Sequence, residues 1–198
     1  MTKLILACLA LVGCGTDNAV NSDEQARRAY LGLDTSVAKS LQLGFDGFNA
    51  ATSANIAPQM VAGVSAGTLT ITGQVDQGNS NNKGMRLLVG MVGYTDGPFV
   101  VDADNHMYNV TYDTATVTTS QPALTLMLKG IPTGTLDGTL AGVYHLTGDI
   151  MGDVTLTLTI TGHLADGGNG TVIRAPGTTT ITGTAVQGDG TYNVMVTL

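Results

Sequence analysis

The chain has 198 residues, with eight Lys and Arg against fifteen Asp and Glu and a formal net charge of −7. This acidic balance argues against a nucleic acid or an anionic membrane surface as the partner. Only 12% of the residues are charged, 27 are glycine, and every acidic residue except Glu24 is Asp, which favours turns over helices. The composition therefore favours a β-rich protein outside the cytoplasm, long enough to fold without disulfides.

The first thirteen residues have the features of a secretory signal peptide. A short start that carries Lys3 precedes an apolar run from Leu4 to Val12. A transmembrane helix needs about 20 apolar residues. The run is too short to span a bilayer, and it therefore predicts a removable signal over residues 1 to 13.

The end of this run resembles the lipobox of bacterial lipoproteins. The residues Leu11-Val12-Gly13-Cys14 place a leucine three positions before a cysteine, with aliphatic and small residues between them. The resemblance implies that the Cys14 thiol carries diacylglycerol, that the signal is cut before Cys14, and that the new amino terminus is acylated. By the same resemblance, Gly15 rather than Asp after the cysteine favours the outer membrane in a host with two membranes.

The second cysteine, Cys8, has a simpler interpretation. Ile5 stands where a lipobox has leucine, and Cys8 lies inside the apolar run. We interpret it as a small hydrophobic residue that is lost with the signal. Cys14 is then the only thiol of the mature chain, and no disulfide is expected within it.

Residues 14 to 21 are interpreted as a lipidated tether, and a helical segment is expected over residues 22 to 57. Ser22 followed by Gln25 matches a capping box, which favours a helix start. An apolar stripe with steps of three and four residues follows and predicts helix. Its members are Leu33, Val37, Leu41, Phe45 and Phe48.

Residues 58 to 198 alternate apolar side chains with threonine, a period of two that predicts β-strands. Residues 85–94 are apolar on both faces, which favours a central strand covered on both sides. Asp-Gly pairs, which favour hairpin turns, punctuate the region. We therefore expect a mainly β fold, an antiparallel β-sandwich or small barrel, packed with the helical segment as one domain. The clearest strand segments are 68–75, 123–129, 154–161 and 192–198, and the Asp-Gly pairs begin at Asp96, Asp137, Asp166 and Asp189.

Residues 63–67 match the G-x-S-x-G pattern of hydrolases, with Ser65 as the serine. In those enzymes the serine lies on a turn from strand to helix, whereas here a predicted helix precedes it and a strand follows. A serine hydrolase using Ser65 and one of the three histidines is therefore the less favoured hypothesis. The glycines are interpreted as flexible connectors between helix and sheet. The histidines are His106, His145 and His163.

Asp102, Asp104 and His106 alternate along the chain, so an extended backbone places their side chains on one face, as a metal site requires. Carboxylates suit hard cations and histidine suits zinc-like ions, so the set specifies no particular metal. A solvated loop explains the residues more simply, and we expect no metal site. Asp149 and Asp153 are a weaker calcium candidate that a hairpin turn explains equally well.

Together these patterns predict a lipid-anchored lipoprotein of the cell envelope, attached to its membrane through Cys14. We expect its β domain to be non-enzymatic, a structural, adhesive or ligand-binding module without a cofactor. A small-molecule carrier with an apolar barrel cavity is the alternative, ahead of the serine hydrolase. We expect no nucleic-acid partner.

Overall fold

The computed structural model describes residues 18–168 and 171–198. The expected signal peptide and Cys14 lie outside the described residues. Helices α1 (Asp23–Leu31) and α2 (Asp34–Ala50) precede the strands. Within the described ranges, no helix has the length and apolar character needed to cross a membrane. In chain order the strands are β1 (Asn55–Ala62), β2 (Ala66–Val75), β3 (Lys83–Thr95), β4 (Phe99–Val100), β5 (Met107–Tyr108), β6 (Val110–Asp113), β7 (Ala123–Lys129), β8 (Thr135–Gly148), β9 (Gly152–Gly168), β10 (Thr171–Arg174), β11 (Thr180–Gln187) and β12 (Gly190–Thr197), and a 3₁₀ turn, Thr118–Ser120, precedes β7.

The helical segment begins where the sequence predicts. Ser22 caps α1, and its Oγ accepts a hydrogen bond from Gln25 N at 3.2 Å. A short break at Gly32 and Leu33 separates α1 from α2. The predicted apolar stripe faces the core, and of its members only Phe48 is partly exposed.

The strands form one main antiparallel sheet, which has ten strands in the part of the chain that the structure describes. Its hydrogen-bonded order is β1-β2-β3-β6-β8-β9-β11-β12, with β7 between β3 and β8 and β10 beside β9, and β4 and β5 form a separate hairpin. Helix α1 packs on β12, and α2 packs on β1 and β2. Because both ends of this order meet the same helical segment, the sheet curves around it. The prediction of a mainly β, antiparallel fold after a short helical segment is confirmed. The strands form one curved sheet rather than two stacked sheets.

The inner face of the sheet and the helices enclose one hydrophobic core. In β9 the apolar residues at every second position from Val154 to Ile160 are buried, and the threonines between them are exposed. This is the alternation that the sequence predicts for a sheet with one covered face. Four tyrosines contribute the largest fully buried side chains: Tyr30, Tyr94, Tyr112 and Tyr144.

Strand β1 begins at Asn55, before the boundary expected at residue 58. Its pairing with β2 is interrupted by a bulge between Ile56 and Gln59, and Pro58 lies inside this interruption. Proline has no N–H to donate, and it is tolerated at bulges and on edge strands. The sequence placed the boundary at the proline because proline more often ends an element.

The Asp-Gly pairs at Asp137 and Asp166 lie inside β8 and β9 and not in turns, which corrects the sequence prediction for both. Gly138 pairs with Leu126 on one side and Ile160 on the other. A Cβ at this position would lie 2.7 Å from Thr125 O. The glycine therefore permits a close approach between strands.

Residues 85–94 lie in β3, but the strand is covered mainly on one face, so the expectation of a doubly covered strand is wrong. Val92 is 66% exposed on the outer side. Gly90 is buried because the amide of Gln121 lies over it, 2.6 Å from the position of an added Cβ. On the outer side of β3, Val92 thus faces solvent and Gly90 is covered by the Gln121 side chain.

The antiparallel register divides the loops between two ends of the sheet. Loops 63–65, 96–109 and 149–151 lie at one end, which we call the entry end because the described chain joins the sheet there. Loops 76–82 and 130–134 lie at the other end, which we call the far end. The candidate site residues discussed next are concentrated at the entry end.

Candidate functional site

The described chain is fixed to the sheet from its first residues. Asn18 Nδ2 donates a hydrogen bond to Gly148 O at 3.3 Å, and Met151 N donates to Asn18 O at 2.8 Å. Val20 is only 2% exposed. Residues 18–21, which the sequence assigned to a polar tether, therefore belong to the folded domain.

Hydrogen bonds join the loops of the entry end to one another. Asn109 N donates to Asp149 Oδ2 at 2.7 Å, and Asp149 N donates back to Asn109 O at 3.0 Å. Thr95 Oγ1 lies 3.3 Å from Asn109 Oδ1, and Val64 N donates to Asp96 Oδ1 at 2.8 Å. The carboxylate of Asp149, weighed as a calcium ligand, thus holds the loop that precedes β6.

A polar cluster beneath these loops ties α2 to the end of β3. Lys39 Nζ lies 2.5 Å from Asp96 Oδ1, and Tyr94 Oη donates to Asp96 Oδ2 at 2.6 Å. Burial opposes the charge on Asp96, but the hydrogen bonds from Lys39, Tyr94 and Val64 outweigh it and lower the pKa of Asp96. Burial, together with Asp96, raises the pKa of Tyr94 well above its usual value, so Tyr94 stays a donor. No local sequence pattern indicates this cluster, because Lys39 and Asp96 are 57 positions apart.

Four large apolar side chains are exposed at the entry end, and we call them the apolar tips. Val64 lies in the β1–β2 turn, Met151 lies in the β8–β9 turn, and Val100 pairs with Met107 in the β4–β5 hairpin. Sequence reasoning missed them, although Val100 and Met107 flank a polar run in the manner of a short hairpin. Their exposed fractions are 77% for Val64, 57% for Met107, 49% for Val100 and 40% for Met151.

The structure brings Asp102, Asp104 and His106 together at the tip of the β4–β5 hairpin, with ligand atoms within 4.8 Å of one another. The backbone is not extended as expected, since Asn105 has φ 61° and the chain turns. Asp102 Oδ1 accepts hydrogen bonds from Asp104 N and His106 N at 3.1 Å, and Asp102 Oδ2 lies 2.7 Å from His106 Nδ1. The His106 contact holds the pKa of Asp102 below its usual value. The arrangement is that of a turn organised by an aspartate.

Ser65 lies in the β1–β2 hairpin, where it is exposed and its N donates to Thr95 O at 3.1 Å. Of the two glycines around it, expected to connect helix and sheet, Gly63 connects two strands and Gly67 lies within β2. This turn from strand to strand differs from the strand-to-helix elbow that presents a catalytic serine. His106 and His145 each contact an aspartate. The described structure gives Ser65 no histidine as a hydrogen-bond partner.

The remaining candidates lie at the surface of the sheet. His145 Nδ1 lies 2.7 Å from Asp153 Oδ1 across β8 and β9, and these side chains are 57% and 74% exposed. His163 is exposed and its backbone N donates to Thr178 Oγ1. Exposed pairs of this kind contribute roughly 0–1 kcal/mol. Asp149 and Asp153, which the sequence suggests together as weak calcium ligands, thus have different contacts: Asp149 accepts the N–H of Asn109, whereas Asp153 contacts His145.

The region enclosed by the sheet and helices, where a carrier would hold its ligand, contains packed side chains. Tyr112 and Tyr144 are each 1% exposed, and Tyr112 Oη donates to Ala29 O of α1 at 2.9 Å. Leu33 and Leu41 of the helical segment lie in the same core. The helices thus fill space that a ligand would use.

Comparisons with protein-family models, with curated proteins and with solved structures find no match for this chain.

Proposed function

We propose that this chain is a lipid-anchored lipoprotein of the cell envelope, whose β domain is a non-enzymatic module held at a membrane surface. The observation that carries the proposal is Cys14 at the end of the short apolar run, in the lipobox-like residues 11–14. Gly15 favours the outer membrane if the host has two membranes. Structural, adhesive and ligand-binding roles are all compatible with this position in the cell.

The way in which the chain joins the fold supports the proposal. Asn18 is already hydrogen-bonded to the sheet, so only three residues separate it from Cys14. At about 3.3–3.6 Å per residue, the four steps from Cys14 to Asn18 span at most about 14 Å. A lipid on Cys14 would hold the domain against its membrane, with the entry end nearest the bilayer.

The geometry of the candidate residues supports a non-enzymatic role. Ser65 lies in a strand-to-strand turn, and His106 and His145 are exposed beside aspartates. The backbone N–H of Ser65 donates to Thr95 O, and each of the two histidines contacts its aspartate. The packed interior supports a module that acts through its surface more than a carrier that encloses a ligand.

The test is the intact mass of the protein isolated from its native membrane fraction. We expect a species that begins at Cys14 and carries acyl mass, and we expect Cys14→Ala to lose both the cleavage and the added mass. Cys8→Ala is the matched control, because it removes a cysteine from the same segment and should leave processing unchanged. An unmodified chain, or acyl mass that persists in Cys14→Ala, would refute the proposal.

A further inference from the structure

We propose that the entry end is itself a lipid-contacting surface, whose apolar tips insert among the headgroups of the bilayer that holds the anchor. This inference rests on the proposed function for the presence of the membrane. It adds to the lipid anchor a second contact with the bilayer, made by the folded domain, and this contact would fix the orientation of the sheet relative to the membrane. The tips are Val64, Val100, Met107 and Met151.

The position of these side chains supports a common surface. They lie on three separate loops, yet hydrogen bonds join those loops: Val64 to Asp96, and Asn109 to Asp149. Asn109 directly follows the strand that holds Met107. The loops are thereby held in fixed positions, so that several apolar side chains can meet one plane.

The short segment between Cys14 and Asn18 indicates which partner the entry end contacts. Met151, one of the tips, donates its N–H to Asn18 O, so the chain leaves the domain beside the surface. With at most about 14 Å between Asn18 and Cys14, an anchored domain keeps this end within reach of the headgroups. A phospholipid bilayer is therefore the occupant to which we commit.

The charge of the entry end indicates which lipids it suits. Asp102 and Asp104 are at the tip of the β4–β5 hairpin, and Asp149 is beside Met151. These carboxylates oppose an anionic surface, so the contact relies on apolar side chains entering the interface, as amphipathic surfaces do. Zwitterionic headgroups, which carry no net charge, are the matching chemistry.

The chain contains no tryptophan, which allows a single substituted tryptophan to report contact with lipid. The lipidated full-length chain is reconstituted in phosphatidylcholine vesicles that contain lipids brominated near the headgroup. Met107→Trp is the reporter at the entry end, and Met195→Trp is its matched control. Met107 and Met195 are 57% and 71% exposed, and Met195 lies within β12, paired with Thr182 of β11, and not in an entry loop.

We expect bromolipid quenching to be several-fold stronger in Met107→Trp than in Met195→Trp, with emission shifted to the blue only in the former. Val64→Trp provides a second reporter on a different loop, in case the hairpin is disturbed, and should behave like Met107→Trp. If the protein carries the acyl mass and quenching is equally weak at all three positions, the entry end does not contact lipid. The proposed function, a lipid-anchored lipoprotein, is unaffected by that result. A chain without acyl mass overturns both.

Discussion

The loops at the two ends of the sheet expose different side chains. At the entry end the apolar tips are between 40% and 77% exposed. At the far end, residues 77–82 are exposed and consist only of polar residues and glycine. Ile131, in the other far-end loop, packs against the core. Loops 76–82 and 130–134 thus form their turns without an exposed large apolar side chain, whereas the entry loops carry four. Val117, in the loop before β7, is also exposed, and the remaining exposed large apolar side chains lie on strands.

Each end also has an ion pair that ties α2 to the sheet. Lys39 pairs with Asp96 at the entry end, and Arg174 Nη2 lies 2.6 Å from Asp34 Oδ2 toward the far end. The far pair joins α2 to β10, and Asp34 also accepts a hydrogen bond from Tyr30 Oη of α1, but the pair contacts none of the apolar tips. Asp96 additionally accepts the N–H of Val64 and so positions an apolar tip. Changes at the far pair should alter stability alone, whereas changes at Asp96 should also alter the entry surface.

The largest effect on stability is expected from Asp34→Ala, which should lower the free energy of unfolding by about 3 kcal/mol. The substitution leaves Arg174, whose side chain is only 12% exposed, without its partner. It also removes the acceptor of Tyr30 Oη, which lies 2.7 Å from Asp34 Oδ1. Denaturant unfolding measures the change.

Asp46→Ala is the matched control for this substitution, because Asp46 is exposed on the same helix. We expect it to change the free energy of unfolding by no more than about 0.5 kcal/mol. If the two variants lose equal stability, the pair of Asp34 and Arg174 does not tie the helix to the far part of the sheet.

A smaller effect, with a distinct pH dependence, is expected from Asp96→Asn. The pKa of Asp96 is lowered in the folded protein, so its charge stabilises the fold above the unfolded pKa of about 4 and this contribution disappears as the pH falls through the folded value. Asp96→Asn should therefore be less stable than the wild type at pH 7. The difference should shrink as the pH falls below about 4.

Urea unfolding of the two proteins at a series of pH values tests this expectation. Lys39→Met serves as the companion variant, because it removes the cation that faces Asp96 and should reduce the same acid-dependent component. A difference between wild type and Asp96→Asn that stays constant from pH 7 to pH 3 would assign the stabilisation to something other than the charge.

Local patterns in the sequence were sufficient for the elements that depend on neighbouring residues. The cap at Ser22 and the alternation in β9 follow from spacings of three and two residues, and both were predicted. The same alternation describes a sandwich and a curved sheet equally well, so the choice between them depends on where the helices pack. Gly138 shows where prediction from local patterns fails. An Asp-Gly pair favours a turn, but here the glycine lies in a strand because a neighbouring strand approaches it closely.

The candidate site depends on contacts that no local pattern contains. Lys39 and Asp96 are 57 positions apart, and Asn109 and Asp149, which join two loops, are 40 apart. Asp102 and His106 were singled out correctly as neighbours, but their geometry was wrong because the positive φ of Asn105 turns the chain. The sequence also does not predict that the apolar tips are exposed, because an apolar residue near a turn can be either exposed or buried. Ile131, which lies in a turn, packs against the core.

The smallest effect is expected from Asp102→Asn, at the turn that carries the tips Val100 and Met107. Asparagine keeps a side-chain oxygen that accepts the N–H groups of the turn, so the hairpin should persist. The lost contact with His106 is exposed, and such pairs contribute little to stability. Thermal unfolding should therefore give nearly equal Tm values for the variant and the wild type.

Comparing the Tm of the wild type and of Asp102→Asn with and without Zn²⁺ tests whether Asp102, Asp104 and His106 bind a metal ion. A metal that binds only the folded state raises its Tm. Because Asp102 Oδ2 is already engaged by His106 and Asp102 Oδ1 by two N–H groups, a metal ion would have to displace the His106 contact. We expect Zn²⁺ to leave the Tm of the wild type and of Asp102→Asn equal. A rise in the wild type that is lost in both Asp102→Asn and His106→Gln would instead make the hairpin a metal site. The entry end would then differ from the far end in metal chemistry as well as in its apolar tips.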